Sequence, residues 1–147
     1  MSTTAMPADG GGITCSVCIA NYNGMDLIDA CIDSVRTQDC GFAVEIIVHD
    51  DASTDDSAAH IAARHPDVRL IASRDNAGFC VANNRMAAAA KGEYLLLLNN
   101  DAALHPGALA TLMQEALRLR QPAILGLPQY DAETGDLFGS ALAFGDF

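Results

Sequence analysis

From Ile13 onward the chain alternates between short apolar runs rich in β-branched residues and longer segments whose apolar positions recur at helical spacing. The runs are Ile13–Ala20, Val44–Val48, Val68–Ala72 and Tyr94–Leu98; the segments that follow them are Met25–Gln38, Asp55–Arg64, Phe79–Lys91 and Pro106–Arg120. Runs of this length read as strands and the 3.6-residue period reads as helix, so the order is β-α repeated along the chain. Ile46–Val48 and Leu95–Leu98 are continuously apolar rather than alternating, as strands buried on both faces must be. In the first helix Leu27, Ile28, Cys31, Ile32 and Val35 form one stripe, with Asp26, Asp29, Asp33 and Arg36 mostly elsewhere. The expected fold is therefore α/β, a Rossmann-like parallel sheet sandwiched by helices.

Turn chemistry supports the same boundaries. Ser53-x-x-Asp56 has the form of a capping box at the start of the second helix. Gly92 is placed to stop the third helix, and Pro106 to open the fourth. Beyond Arg120, Ala123–Tyr130 reads as a fifth strand, and Asp131–Asp136 as a turn into a hairpin with Leu137–Phe144. Residues 1–12 are Gly-, Ser- and Thr-rich without periodicity and read as a flexible lead-in, leaving one domain over residues 13–147.

Composition limits the partners. Eight Lys+Arg against 19 Asp+Glu give a formal charge of −11, a field that repels a phosphate backbone and excludes nucleic acid. It also opposes a bare phosphorylated ligand, unless a divalent cation or a helix N-terminus supplies local positive potential. Cys15, Cys18, Cys31, Cys40 and Cys80 form an odd set behind no secretory leader, which points to a reducing, cytoplasmic location. Cys15 and Cys18 lie three apart on a strand and face opposite sides, as buried small residues rather than half of a zinc site. The longest strongly apolar stretch, Tyr94–Leu98, is far short of the ~20 residues of a membrane span; any membrane association is peripheral, at the inner face.

In an open parallel sheet the ligand site lies beyond the C-terminal strand ends. The four junctions there are Asn21-Tyr22-Asn23-Gly24, His49-Asp50-Asp51-Ala52-Ser53, Ser73-Arg74-Asp75-Asn76-Ala77-Gly78 and Asn99-Asn100-Asp101. Turn and cap formation accounts for any one of them. The Asp50-Asp51 pair asks for more, because adjacent carboxylates at the end of a buried strand repel unless donors satisfy them. Asp101, at the rim, is suited to a Mg²⁺ or Mn²⁺ that also binds phosphate oxygens. There is no G-x-G-x-x-G after the first strand, no P-loop and no G-x-S-x-G elbow. Among the histidines there is no metal spacing: His60 and His65 read as solvated, and His49 as lining the cleft.

Four ordered stretches resemble the N-terminal half of a family 2 inverting glycosyltransferase of the GT-A fold: Ser16–Asn23, Ile46–Ser57, Asn76–Asn84 and Lys91–Asp101. The Asn-Ala-Gly-Phe and Asn-Asn-Asp variants are most similar to its rhamnosyltransferase-like branch. The resemblance implies that Ala20, Asn21 and Tyr22 wall a nucleobase and that Asp51 accepts from it, with Asp50 toward the base or ribose. It implies that Asn76, Gly78 and Asn84 shape the nucleotide and sugar pocket, and that Asn100 and Asp101 stand at the metal and diphosphate motif. Asp101 is its metal ligand, and Asn99 replaces the motif's first Asp. The implied partners are a UDP- or dTDP-linked sugar and a glycan or lipid-linked acceptor, in cell-surface polysaccharide assembly.

The family's general base belongs to a later motif that nothing between Tyr130 and Phe147 matches, so the base is expected beyond Phe147 and the GT-A unit is expected to be truncated. A homodimer through the surface left by the missing half is a further expectation. The competing readings are a non-catalytic nucleotide-sugar-binding module or an inactive fragment. A phosphoacceptor signalling domain is disfavoured by the position of the acidic pair and by Lys91 being the chain's lone lysine.

Overall fold

The structure, a computed structural model, describes residues 12, 14–139 and 143–144. These fall into two compact units, one running to Pro106 and one beginning at Gly107. The first contains β1 (Cys15–Asn21), α1 (Ile28–Arg36), β2 (Val44–Asp50), α2 (Ser57–Arg64), β3 (Arg69–Ala72), α3 (Phe79–Ala89) and β4 (Tyr94–Asn99). Its four strands form one parallel sheet in the order β3-β2-β1-β4. The chain steps outward from β1 to β3 and then returns past β1 to β4, so the order reverses between β1 and β4. Right-handed crossovers then put α1 and α2 on one face and α3 on the other.

Strand alternation distributes the core between these faces. Cys18 and Ile47, paired in register across β1 and β2, pack with Met86 of α3, flanked by Ala20, Ile71 and Ala90. The intervening Val17, Ile19 and Val48 are fully buried on the opposite face, where α1 contributes Ile28, Cys31, Ile32 and Val35, and α2 contributes Ile61. Burial of each such aliphatic side chain contributes about 1.5–3 kcal/mol.

The α/β expectation holds, but β4 is not buried on both faces: Leu95 and Leu97 are exposed while Leu96 and Leu98 are half-buried, because β4 is the edge of the described sheet. Other differences are at element ends. β1 and β2 continue through Asn21 and Asp50, which are ladder partners, because their side chains satisfy one another. α1 begins at Ile28 rather than Met25, since Gly24 O accepts from the amides of Leu27 and Ile28 while the Met25 amide turns to Asp55. The expected capping box does not form: Ser53 Oγ donates to Asp50, and Asp55 instead receives the Ser57 amide at 3.0 Å and the Ser57 hydroxyl. α3 ends at Ala89, and Ala90 is extended, because the Lys91 and Gly92 amides donate to Glu45 and Ser16. Gly92 therefore serves packing against β1 rather than helix termination.

In the second unit α4 spans Ala108–Leu119 with Leu109 and Met113 buried. It starts after Gly107, in the left-handed region at φ 82°, so Pro106 precedes the helix instead of opening it. The single strand expected over Ala123–Tyr130 is two short ones, β5 (Ile124–Leu125) and β6 (Gln129–Tyr130), separated by a stretch containing Pro128, which cannot donate to a ladder. The hairpin turn is present: β6 pairs antiparallel with β7 (Leu137–Gly139), and the Asp131 carboxylate accepts from the Glu133 and Thr134 amides. β8 (Ala143–Phe144) pairs with β5. No helix among the described residues is long and apolar enough to cross a membrane.

Candidate functional site

The strand order reverses between β1 and β4, and in open parallel sheets a reversal of this kind marks where a ligand crevice lies beyond the strand ends. A continuous hydrogen-bonded row ties the three strand ends together there. Asn100 Nδ2 donates to Asn21 Oδ1 at 2.9 Å, and Asn21 Nδ2 donates to Asp50 Oδ1 at 2.9 Å. Ser53 donates to Asp50 Oδ1 from its hydroxyl at 2.6 Å and to Oδ2 from its amide at 3.1 Å. Gly24 lies directly over the Asn21–Asn100 contact, where any Cβ would collide with both side chains. Asn23 clamps the neighbouring loop, its Oδ1 accepting from the amides of Thr54 and Asp55 while its own amide donates to Ser53 Oγ.

Asp51 organises the third junction. Its amide donates to Asn21 O at 2.8 Å, and its two carboxylate oxygens each accept a backbone N–H at 2.8 Å, Oδ1 from Ala77 and Oδ2 from Gly78. A buried carboxylate thus holds the loop into α3 through charge-assisted bonds. Gly78 makes that bond at φ 83°, ψ 163°, a conformation essentially confined to glycine. Ala52, beside Asp51, is held at φ 60° without glycine's freedom.

These elements enclose a cleft of about 300 Å³ lined by Ala20, Asn21, Tyr22, Asp51, Asn76, Gly78, Phe79, Ala82 and Asn100. Seven of them are residues named from the sequence. The exposed rings of Tyr22 and Phe79 stand at this cleft, and the first turn of α3 lines it with the positive end of its dipole. Phe79 and Ala82 escaped the sequence reading because helical spacing marks them as ordinary helix-face residues. The available signal was their place immediately after a junction glycine.

Three named residues lie outside the lining. Asp50 is buried, with both oxygens engaged by Asn21 and Ser53, on the sheet face opposite His49. Asn84 is exposed on α3, while its neighbour Asn83 is buried and donates to Phe79 O. Asp101 is exposed on a turn closed by the Ala102 amide to Asn99 O at 3.1 Å. His49 does not line the cleft: it is fully buried on the α3 face of β2.

The donor set at the end of β4 fits a hard divalent cation in one respect. Asp101 offers an exposed carboxylate, and such ions take oxygen ligands readily shared with phosphates and water. A different group converges on the α1–α2 side, where ligand atoms of Asp29, His60 and His65 lie within 4.8 Å of one another. His65 is buried rather than solvated. Asp29 Oδ1 accepts from Nε2 of His60 at 2.8 Å and of His65 at 2.7 Å. Arg36 Nη2 lies 3.1 Å from His65 Nδ1; because a guanidinium only donates, Nδ1 accepts and the ring proton sits on Nε2. That tautomer makes the trio a hydrogen-bonded staple, with Arg64 on the other Asp29 oxygen. The two histidines hold the Asp29 carboxyl below its ordinary range against a partial burial penalty. Burial raises the Cys15 and Cys18 thiols to about 11 and Cys31 to about 12, so all three are inert packing residues near neutrality.

The family description "Glycosyl transferase family 2" matches residues 16–141. The succinoglycan biosynthesis protein ExoO of Rhizobium meliloti is 37% identical over 99 residues, 67% of this chain and 28% of that protein. Among solved structures, S. aureus TarS in complex with UDP-GlcNAc aligns at TM-score 0.58 and 26% identity over 71% of this chain and 30% of that one. The Pyrobaculum calidifontis mannosyltransferase in complex with GDP-Man and Mn²⁺ aligns at TM-score 0.62 and 26% identity, over 82% and 37%. The chain thus spans about a third of the length of the relatives it matches. With a parallel sheet, a switch-point cleft and a family match over most of its length, the chain belongs to glycosyl transferase family 2.

Proposed function

We propose that the cleft binds a nucleoside-diphosphate sugar, and that the chain supplies the donor-binding part of a glycosyltransferase acting with inversion on an acceptor hydroxyl. The observation that carries this reading is the convergence of Tyr22, Asp51, Asn76, Gly78 and Asn100 on one switch-point cleft. Tyr22 and Phe79 offer faces against which a planar base can lie, and Asp51 offers lone pairs to its N–H groups. Complexes of the relatives with UDP-GlcNAc and GDP-Man support a nucleotide-linked donor; the preference for uridine or thymidine is the finer proposal.

Asp101 would hold a Mg²⁺ or Mn²⁺, which when bound neutralises charge on the diphosphate leaving group. The α3 N-terminus adds positive potential in a chain of charge −11. Asp51 is the lone carboxylate among the described residues that line the cleft, and both its oxygens are held by backbone amides. Its role is binding, and the base that takes the acceptor proton is assigned to none of these residues. A rhamnosyl donor and a role in polysaccharide assembly, the latter supported by the likeness to ExoO, complete the proposal.

The test is calorimetric titration of UDP, dTDP and GDP into the chain with and without Mn²⁺, alongside Tyr22→Ala and Asp101→Ala. Metal-dependent binding weakened in both variants is the expected result. Failure of every nucleotide to bind the folded wild-type chain overturns the reading.

A further inference from the structure

We propose that His49 is a positioning residue for Asp51: from beneath the cleft floor its Nδ1–H aims the carboxylate, so ligand affinity depends on a side chain that no ligand touches. This rests on the reading of Asp51 as the acceptor that faces the ligand.

His49 stands two residues before Asp51, and its ladder partners in register are Ala20 of β1 and Ile71 of β3. Its side chain is fully buried. Nε2 lies 3.3 Å from Arg85 Nη1, and the same nitrogen of Arg85 donates to Ser73 Oγ at 3.1 Å. A guanidinium has no lone pair to offer, so Nε2 accepts, and a neutral ring then carries its proton on Nδ1. Burial is the main force keeping the ring neutral; the Asp51 carboxylate opposes it most, the Arg85 charge adds to it, and the backbone of His49 itself and Asp50 oppose it more weakly.

Nδ1 is therefore a buried donor. Among the described residues it is the one buried side-chain nitrogen or oxygen without a hydrogen-bond partner. Asp51 Oδ1 lies 3.9 Å away, so a shift of about 1 Å would bring the pair to bonding distance. The carboxylate is already gripped from the side by the Ala77 and Gly78 amides. The imidazole supplies a third donor from below, and a desolvated setting strengthens its pull on the anion. Ligand donors on the cleft side complete the set, with the carboxylate drawn between them and His49. His49→Leu removes this donor while keeping an apolar filler. His49→Asn keeps an amide donor close to the Nδ1 position.

The experiment uses the full chain with ¹⁵N-labelled histidine and UDP plus Mn²⁺ as the probe. The free protein is expected to show the Nδ1–H tautomer. UDP affinity is expected to fall about tenfold in His49→Leu and to recover to within about threefold of wild type in His49→Asn. Amide exchange at Ala77 and Gly78 is expected to quicken in His49→Leu while that at Val17 and Ile19 stays unchanged. An Nε2–H tautomer, or equal UDP affinity in wild type and His49→Leu, overturns the inference and leaves the donor site standing. If wild type itself binds none of UDP, dTDP and GDP, the donor reading falls and the inference falls with it.

Discussion

At the end of β2, Asp50 and Asp51 are almost fully buried, and each of their four carboxylate oxygens accepts at least one hydrogen bond. At the end of β4, two strands away, Asp101 stands exposed on a turn. Both segments read alike in the sequence, as an apolar run followed by amides and carboxylates. The difference comes from neighbours: β2 is an interior strand flanked by β1 and β3, whereas β4 pairs on one side with β1. Interior carboxylates must be saturated to offset lost hydration, and saturation shapes the loops around them. An exposed carboxylate keeps its water and stays available to an incoming cation.

The sharpest way to break this contrast is to truncate one acid at each end. Asp51→Ala leaves the Ala77 and Gly78 amides without their acceptor and is expected to cost about 3 kcal/mol in urea denaturation. Gly78→Ala forces an L-residue into a glycine-only conformation and is expected to lower stability by about 2 kcal/mol, read from the same midpoints. Ala52→Gly relieves the left-handed backbone next to Asp51 and is expected to raise stability by about 1 kcal/mol. Asp101→Ala should stay within about 0.5 kcal/mol of wild type, while losing the metal-dependent part of nucleotide binding in the titration.

Acid sharpens the comparison further. Burial lowers the His49 pKa from its ordinary 6.5, so the unfolded chain binds this proton more readily than the folded one. The stability that His49 contributes is complete above pH 6.5 and is lost as pH falls through and below that value. Asp29 also has a lowered pKa, and its contribution is lost only as pH falls below 3.8. Denaturation midpoints across pH should show the first loss in wild type and not in His49→Leu.

Much of the fold and part of the site were legible in residue order alone. The run Leu95–Leu98 announces a strand correctly but not its burial, since Leu95 and Leu97 are exposed on one face of β4; the junction residues Asn21, Tyr22, Asp51, Asn76 and Gly78 follow from the rule that sites lie past strand ends. Ser53 and Gly92 depart from their motifs because other acceptors compete: Asp50, three residues back, takes the Ser53 hydroxyl, and the Gly92 amide goes to Ser16 across 76 positions. His60 and His65 gave no sequence signal of their shared partner Asp29, which lies on another helix.

The sequence by itself determined the alternation of strands and helices, since hydrophobic period and turn chemistry are properties of neighbouring residues, and its four motif stretches carried the family resemblance. It also determined which junctions carry the polar groups. Tertiary structure alone decided which of those groups face the cleft and which are spent on the scaffold. The pleat turns His49 to the α3 face and Asp50 to the other, and the reversal of strand order brings Asn100 against Asn21 across 79 positions. Those outcomes depend on register, crossover direction and the need to pair every buried polar atom, which no local window of the chain contains.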